Sequence, residues 1–296
     1  MMGRSAVDRA KVAAKRGISR LYQASGKETV RETVRCLMYH SIVPDFCDDP
    51  AQMTTPVGLF RDQMAFLAVN GYRVADATEV VEQLRKRNPI PPKTVVITFD
   101  DGYVDNLHLA LPVLQAHGFP ATVFLVTAAL DGRLEHVQTG WGAEYLRWEQ
   151  ALEMLATGLI GIGCHSATHR KLRGLESEML RAETQEAKRR LEERLGRPVE
   201  LFAYPFGAYD SWDSRVRAAV ELAGFSGAFT TIFGANPAGT DCLLLKRSRV
   251  SWCEGVREFD LLLRGGYDWY SMVQWCQGRA ALSGQAGRSS ARRASP

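Results

Sequence analysis

A chain of 296 residues with 46% apolar and 24% charged side chains fits an ordinary globular protein, with length for one large α/β core or two smaller ones. No run of about 18 apolar residues occurs, so no transmembrane helix is expected. The opening MMGRSAVDRAKVAAKRGISRLYQ is broken by charge too often for a secretory signal, which makes a cytoplasmic location the expectation.

The net charge of +4 is unevenly spread. Residues 1–35 carry nine basic and three acidic side chains, and residues 279–296 carry four arginines and no acid. The first segment, 1–34, reads as helical or partly disordered, and its charge suits peripheral contact with an anionic membrane. Nucleic acid is not an expected partner. The last segment, RAALSGQAGRSSARRASP, has the composition of a disordered basic tail.

Between them, 35–278 reads as one domain in which short apolar runs alternate with amphipathic stretches. RCLMYH (35–40) is the first strand and delivers His40 at its end. GLFRDQMAFLAVNG is a helix closing on glycine. TVVITF (94–99) runs into the adjacent carboxylates Asp100 and Asp101, and VDNLHLALPVLQAHG follows as a helix. ATVFLV (121–126) and LIGIGCH (159–165) are strands, the second ending in His165. SEMLRAETQEAKRRLEERLG (177–196) is rich in strong helix formers. ELFAYP (200–205), the helix SRVRAAVELAG, GAFTT (227–231) and LLLKRSRV (243–250) complete the series. Seven strand–helix units imply a parallel sheet, better closed as a barrel than left open. Such sheets carry their chemistry at the carboxyl ends of the strands.

Those ends are unusually polar here. GCHSATHR places His165 and His169 four apart, and neutral imidazole binds zinc and similar metals well. With one carboxylate of the Asp pair they make a His₂Asp set, three protein ligands and an open position for water. The other carboxylate would stand beside that water and accept its proton, because a bound metal lowers the pKa of water toward about 7. The residues alone do not say which aspartate does which. The six cysteines are scattered without a C-x-x-C pair, against a cysteine zinc site or a disulfide framework.

These motifs carry a resemblance. TFDDGY and HSATH, together with LMYHSIVP, FRDQMAFLAVNGYRV, LPVLQAHGFPATVFL and FAYPFGAYD, resemble the polysaccharide deacetylases, the NodB-homology domain of carbohydrate esterase family 4. The resemblance implies a distorted (β/α)₇ barrel and a divalent metal, most often zinc with cobalt, nickel or iron as alternatives, that removes acetyl groups from sugars. It implies Asp100 as general base, Asp101, His165 and His169 as metal ligands, and the Tyr204-Pro205-Phe206 stretch at the oxyanion and substrate site.

Two departures stand out. Where the family has the arginine of R-x-P-Y-G this chain has Ala203, and Phe206 takes the tyrosine position. Arg249 is the expected source of the missing charge beside Asp100, with Arg247 its rival. The late L-x-x-H motif is absent, since no histidine follows His169. His40, matched by an early histidine in the poly-N-acetylglucosamine branch, is then the expected proton donor to the leaving amine. The implied substrate is an acetylated glycan or a sugar precursor. A hydrolase of small non-sugar amides and an inactive carbohydrate-binding homologue stay open as alternatives.

Overall fold

The computed structural model describes residues 6–24, 32–47, 49, 51–134, 143–253 and 255–293. Seven strands matter for the site. They are β1 (Thr33–Tyr39), β2 (Thr94–Phe99), β3 (Ala121–Leu125), β4 (Ile160–Cys164), β5 (Leu201–Ala203), β6 (Gly227–Phe229) and β7 (Arg247–Arg249). All run parallel, in the order β7–β1–β2–β3–β4–β5–β6. Phe229 at the end of β6 pairs in parallel with Leu245, two residues ahead of β7, and closes the ring. The Leu245 N–H donates to Ala228 (2.9 Å) and the Thr230 N–H to Leu245 (2.7 Å). The result is the expected distorted (β/α)₇ barrel, with each strand within a few residues of its predicted place.

The strands are near-continuous apolar runs because both faces are covered. Alternate residues divide between two cores. Leu37, Tyr39, Val95, Ile97 and Phe99 pack outward against helices such as Val57–Val69, whose Phe60, Met64 and Leu67 are buried. Each such side chain contributes roughly 1.5–3 kcal/mol, and Phe60→Ala would cost about 3–5 kcal/mol. Cys36, Val96, Phe124, Phe229 and Leu245 form the second core together with helix Ala77–Arg85. That helix is capped by Asp76, which accepts from the Thr78 and Glu79 N–H groups.

Both ends of the chain include helix. Ala6–Ala24 is seated by its buried Ser19, whose Oγ accepts from Trp269 Nε1 at 2.9 Å, and by an Arg16–Glu258 ion pair at 3.6 Å. A final helix spans Tyr270–Arg293, into the stretch that composition reads as a disordered tail. Alanine, arginine and glutamine in that stretch are good helix formers and extend a helix already fixed to the barrel. Gln274 fixes it, accepting from the Phe233 N–H (2.9 Å) and donating to the Thr231 carbonyl (2.7 Å). Gly278 allows close approach, since a Cβ there would meet Tyr209 Cβ at 2.6 Å. Among the described residues no helix is long and apolar enough to cross a membrane.

Candidate active site

The carboxyl ends of the strands converge. His40 follows β1, Asp100 and Asp101 follow β2, His165 follows β4, and β7 brings Arg247. Asp100, Asp101 and His165 are almost wholly buried, 2%, 6% and 2% exposed. Charged groups this deep are retained only where they are paired or bind a metal.

Asp101 Oδ1 lies 3.2 Å from His169 Nε2 and 3.5 Å from His165 Nε2, and the three ligand atoms lie within 4.8 Å of one another. Two ligands each about 2.1 Å from a common tetrahedral centre stand roughly 3.4 Å apart, so the spacing fits one small divalent cation. The donor chemistry fits as well. His165 Nδ1 sits 2.8 Å from the Ala203 carbonyl, which can only accept, so the proton is on Nδ1 and the Nε2 lone pair faces Asp101. His169 is the partly exposed member and opens the set toward solvent.

The backbone is bent to make this arrangement. Asp101, Ser166, His169 and Phe206 all take positive φ (72°, 66°, 54° and 64°), a left-handed conformation that costs non-glycine residues and clusters at functional sites. Gly102, next to Asp101, is also left-handed, and a Cβ there would meet Leu125 Cδ2 at 2.5 Å. The loop bearing His169 is held from behind by buried Glu183. Its carboxylate accepts from the Ala167 and Thr168 N–H groups (3.0 and 2.9 Å) and from the Thr168 hydroxyl.

Arg247, not Arg249, is the partner of Asp100. Its Nη1 lies 2.6 Å from Asp100 Oδ1 and its Nη2 2.7 Å from Oδ2. The fork is fixed further by the Thr230 carbonyl and by the faces of Phe124 and Phe229. The side chain of Arg247 is fully buried and enters the barrel from β7, so the charge missing at Ala203 comes from two strands away. Arg249 lies two residues on and, among the described residues, makes one long 3.4 Å bond to the Ala51 carbonyl. Burial alone would raise the Asp100 carboxyl; the Arg247 charge, with His165 adding to it, outweighs burial and holds it well below the usual carboxylate range.

His40 lies beside this pair, 7% exposed. Burial pushes its imidazole down to about 4 against the upward pull of Asp101 and Asp100, so it is neutral at pH 7. Its carbonyl accepts from Asn106 Nδ2 at 2.7 Å. Asp105 accepts from the Ile42 N–H (2.9 Å) and the Ser41 hydroxyl, fixing the next two residues.

The Tyr204-Pro205-Phe206 stretch divides. Tyr204 is a core residue: its hydroxyl donates to the Leu243 carbonyl (2.9 Å) and its N–H to the Phe229 carbonyl (3.0 Å), so neither can meet an oxyanion. Pro205 is buried and has no N–H. Phe206 remains. Its ring is 56% exposed, 5.1 Å from the His169 ring, and its N–H has no acceptor among the described residues.

Sequence reasoning missed Glu183, Asp105 and Asn106. Asn106 and Glu183 sit in the two π-helical turns, Asn106–Ala110 and Ala182–Glu186. Such turns concentrate at functional sites, but a helix-like sequence does not announce them. Tyr103, whose ring stacks on Tyr145 at 5.3 Å, was likewise unmarked; burial, then the charge of Asp101, pushes its hydroxyl up. Trp148 is buried with its Nε1 donating to Asp131 (3.0 Å), so its ring is not offered to a sugar.

A parallel barrel with a His₂Asp cluster that could hold a metal ion, and an arginine-held carboxylate beside it, points to a hydrolase. Comparison with known proteins agrees. The polysaccharide deacetylase family model matches residues 87–228. The candidate polysaccharide deacetylase YxkH of Bacillus subtilis is 32% identical over 215 residues, 73% of this chain and 70% of that protein. The poly-β-1,6-N-acetyl-D-glucosamine N-deacetylase of Escherichia coli is 31% identical over 130 residues, 42% of this chain but 19% of that larger protein. Among solved structures, the Streptococcus pyogenes deacetylase PplD superposes with a TM-score of 0.67 at 22% identity, covering 79% of this chain and 99% of that one. A candidate polysaccharide deacetylase of Bacillus anthracis superposes at 0.66 with 27% identity, covering 79% of this chain and 69% of that one. The chain belongs to the polysaccharide deacetylase family and is a hydrolase of carbon–nitrogen bonds other than peptide bonds.

Proposed function

We propose that the protein removes acetyl groups from the amino sugars of a glycan or glycan precursor, with Asp101, His165 and His169 holding a divalent cation, zinc by the donor set. The observation that carries this reading is the placement of a second, separately held carboxylate, Asp100, directly beside the His₂Asp cluster. A binding module has no need of that arrangement. A bound cation supplies Lewis-acid activation of the acyl oxygen and of water.

The remaining roles fall to the chain itself. Asp100, kept ionised and oriented by Arg247, accepts a proton from the attacking water. The Phe206 N–H is positioned to donate to the developing oxyanion, where a preorganised donor is worth more than in water. His40 delivers a proton to the departing nitrogen. Because burial keeps it neutral at rest, it must first receive that proton, and Asp100, whose charge it senses, is the source. The proton taken from water thus reaches the amine through two residues of the site.

Acetate release from N-acetylglucosamine oligomers by zinc-loaded protein tests the reading. Asp100→Asn should abolish release at unchanged metal content, whereas His165→Ala should lose metal and activity together. Full activity in Asp100→Asn would remove the assignment. Turnover of small ureides without acetate release would favour an amidohydrolase of non-sugar substrates.

A further inference from the structure

Arg247 and Arg249 occupy alternate positions of β7 and so project to the same side, one layer apart. The deeper arginine is satisfied by Asp100. Arg249 is not. Among the described residues no carboxylate lies within ion-pair distance of it, and its one hydrogen bond is the 3.4 Å contact with the Ala51 carbonyl. Burial lowers its pKa below the ordinary arginine value, outweighing the upward pull of Tyr270, Asp100 and Asp49, none of which pairs with it directly among the described residues.

Arg249 lines a cavity of about 360 Å³ that abuts the metal-ligand set through Phe206. The final helix closes the other side with Gln274 and Gln277. Among the described residues the other charged lining residue is Asp210, and Lys171 pairs with it at 2.5 Å. The cavity therefore has one arginine with no direct ion pair among the described residues, an aromatic face at the Phe206 ring and room for one sugar unit. A neutral hydroxyl or acetamide needs no guanidinium, and the glutamines could bind it. The planar fork of arginine matches a carboxylate or a phosphate with two parallel hydrogen bonds.

We propose that this cavity is a subsite for an anionic sugar unit next to the acetylated one, with Arg249 binding its carboxylate or phosphate while Phe206 supports the ring. The proposal rests on the deacetylase reading for the identity of the neighbouring unit, but its test does not depend on turnover. Binding to zinc-loaded full-length protein is measured by calorimetry with three disaccharides: N,N′-diacetylchitobiose, a glucuronate–N-acetylglucosamine disaccharide, and a 6-phosphorylated chitobiose. At least one anionic probe should bind tenfold or more tighter than the neutral one, and the stronger of the two identifies the anion. Arg249→Gln should erase the preference, and Arg249→Lys should keep part of it because the charge stays and the fork is lost. Should Arg249→Gln fail to fold, judged by its melting temperature, the Lys variant and the salt dependence of wild-type binding carry the test, since an ionic contact weakens with salt. Equal binding of all three probes, no binding of either anionic probe, or a preference that survives in Arg249→Gln overturns the proposal. Acetate release measured in parallel reports on the deacetylase reading separately.

Discussion

Arg247 holds Asp100 by both oxygens, at 2.6 and 2.7 Å, with both side chains buried. The pair joins β2 to β7 across the barrel interior, so it is a structural tie as well as the support of the proposed base. Removing one member strands the other charge in a dry site, which costs roughly 3–5 kcal/mol. Arg247→Met should therefore lower the unfolding free energy by about that amount and cut acetate release at least a hundredfold. The double variant Arg247→Met/Asp100→Asn should recover stability and stay inactive. A double variant no more stable than Arg247→Met would show that the ion pair is not what the arginine supplies. The sign with pH follows from the lowered Asp100 pKa: the pair's contribution is present above the unfolded carboxylate value near 4 and is lost as acid protonates the folded carboxyl.

Glu183 never touches the ligand set, yet it receives three donors from the loop that ends in His169. Glu183→Ala removes the oxygen that accepts from both backbone N–H groups and leaves these donors without their partner. Metal affinity should fall about tenfold to a hundredfold, as for other groups that orient ligands from behind. Competition with a chromophoric chelator measures it. Unchanged affinity would mean that the left-handed turn at Ser166 and His169 holds itself.

His40 separates substrates by leaving group. An amine must be protonated to depart, whereas 4-nitrophenolate need not be. His40→Ala should slow acetate release from N-acetylglucosamine oligomers by about 10²–10⁴-fold and 4-nitrophenyl acetate hydrolysis much less. Equal losses on both would place His40 in binding or folding instead. Because folding lowers its pKa from 6.5 to about 4, the wild-type protein loses stability as pH falls through that interval, and His40→Ala should lose less.

What could be read from sequence and what could not divides along a physical line. Strands such as TVVITF announce themselves because burial on both faces demands a continuous apolar run, and their polar ends announce a pocket. Asp101, His165 and His169 could be grouped because they lie in two short motifs, and the fold brings them together as a cluster that could hold a metal ion. Arg247 was harder to choose over Arg249. The two differ by one layer of a barrel, and only the register of β7 on β1, Cys36 with Arg247 and Met38 with Arg249, settles which one reaches Asp100. Tyr204 looked available because its motif position is polar, but its hydroxyl is consumed by Leu243, a contact 39 residues away. Glu183 and Asn106 act through loops distant in sequence, so no local pattern marks them.

Asp105 gives the final prediction. Burial pushes its carboxyl up to about 6, with bonds from Ser41, Ile42 and Asn106 limiting the rise. A carboxyl whose pKa rises on folding favours the folded state most below about 4, and that contribution is lost as pH climbs through 6. A shift from 3.8 to about 6 corresponds to roughly 3 kcal/mol. Asparagine keeps one acceptor oxygen and carries no charge at any pH. The stability of Asp105→Asn relative to wild type should therefore improve between pH 4 and pH 8, by up to about 3 kcal/mol. Urea unfolding at the two pH values measures the difference. The amide oxygen can stay where it accepts from the Ile42 N–H and Asn106 Nδ2 while its NH₂ faces the Ser41 hydroxyl, which rotates to accept, so only a small pH-independent cost should accompany the change. A difference that does not move with pH would mean that the three donors keep Asp105 ionised in the folded protein despite its burial.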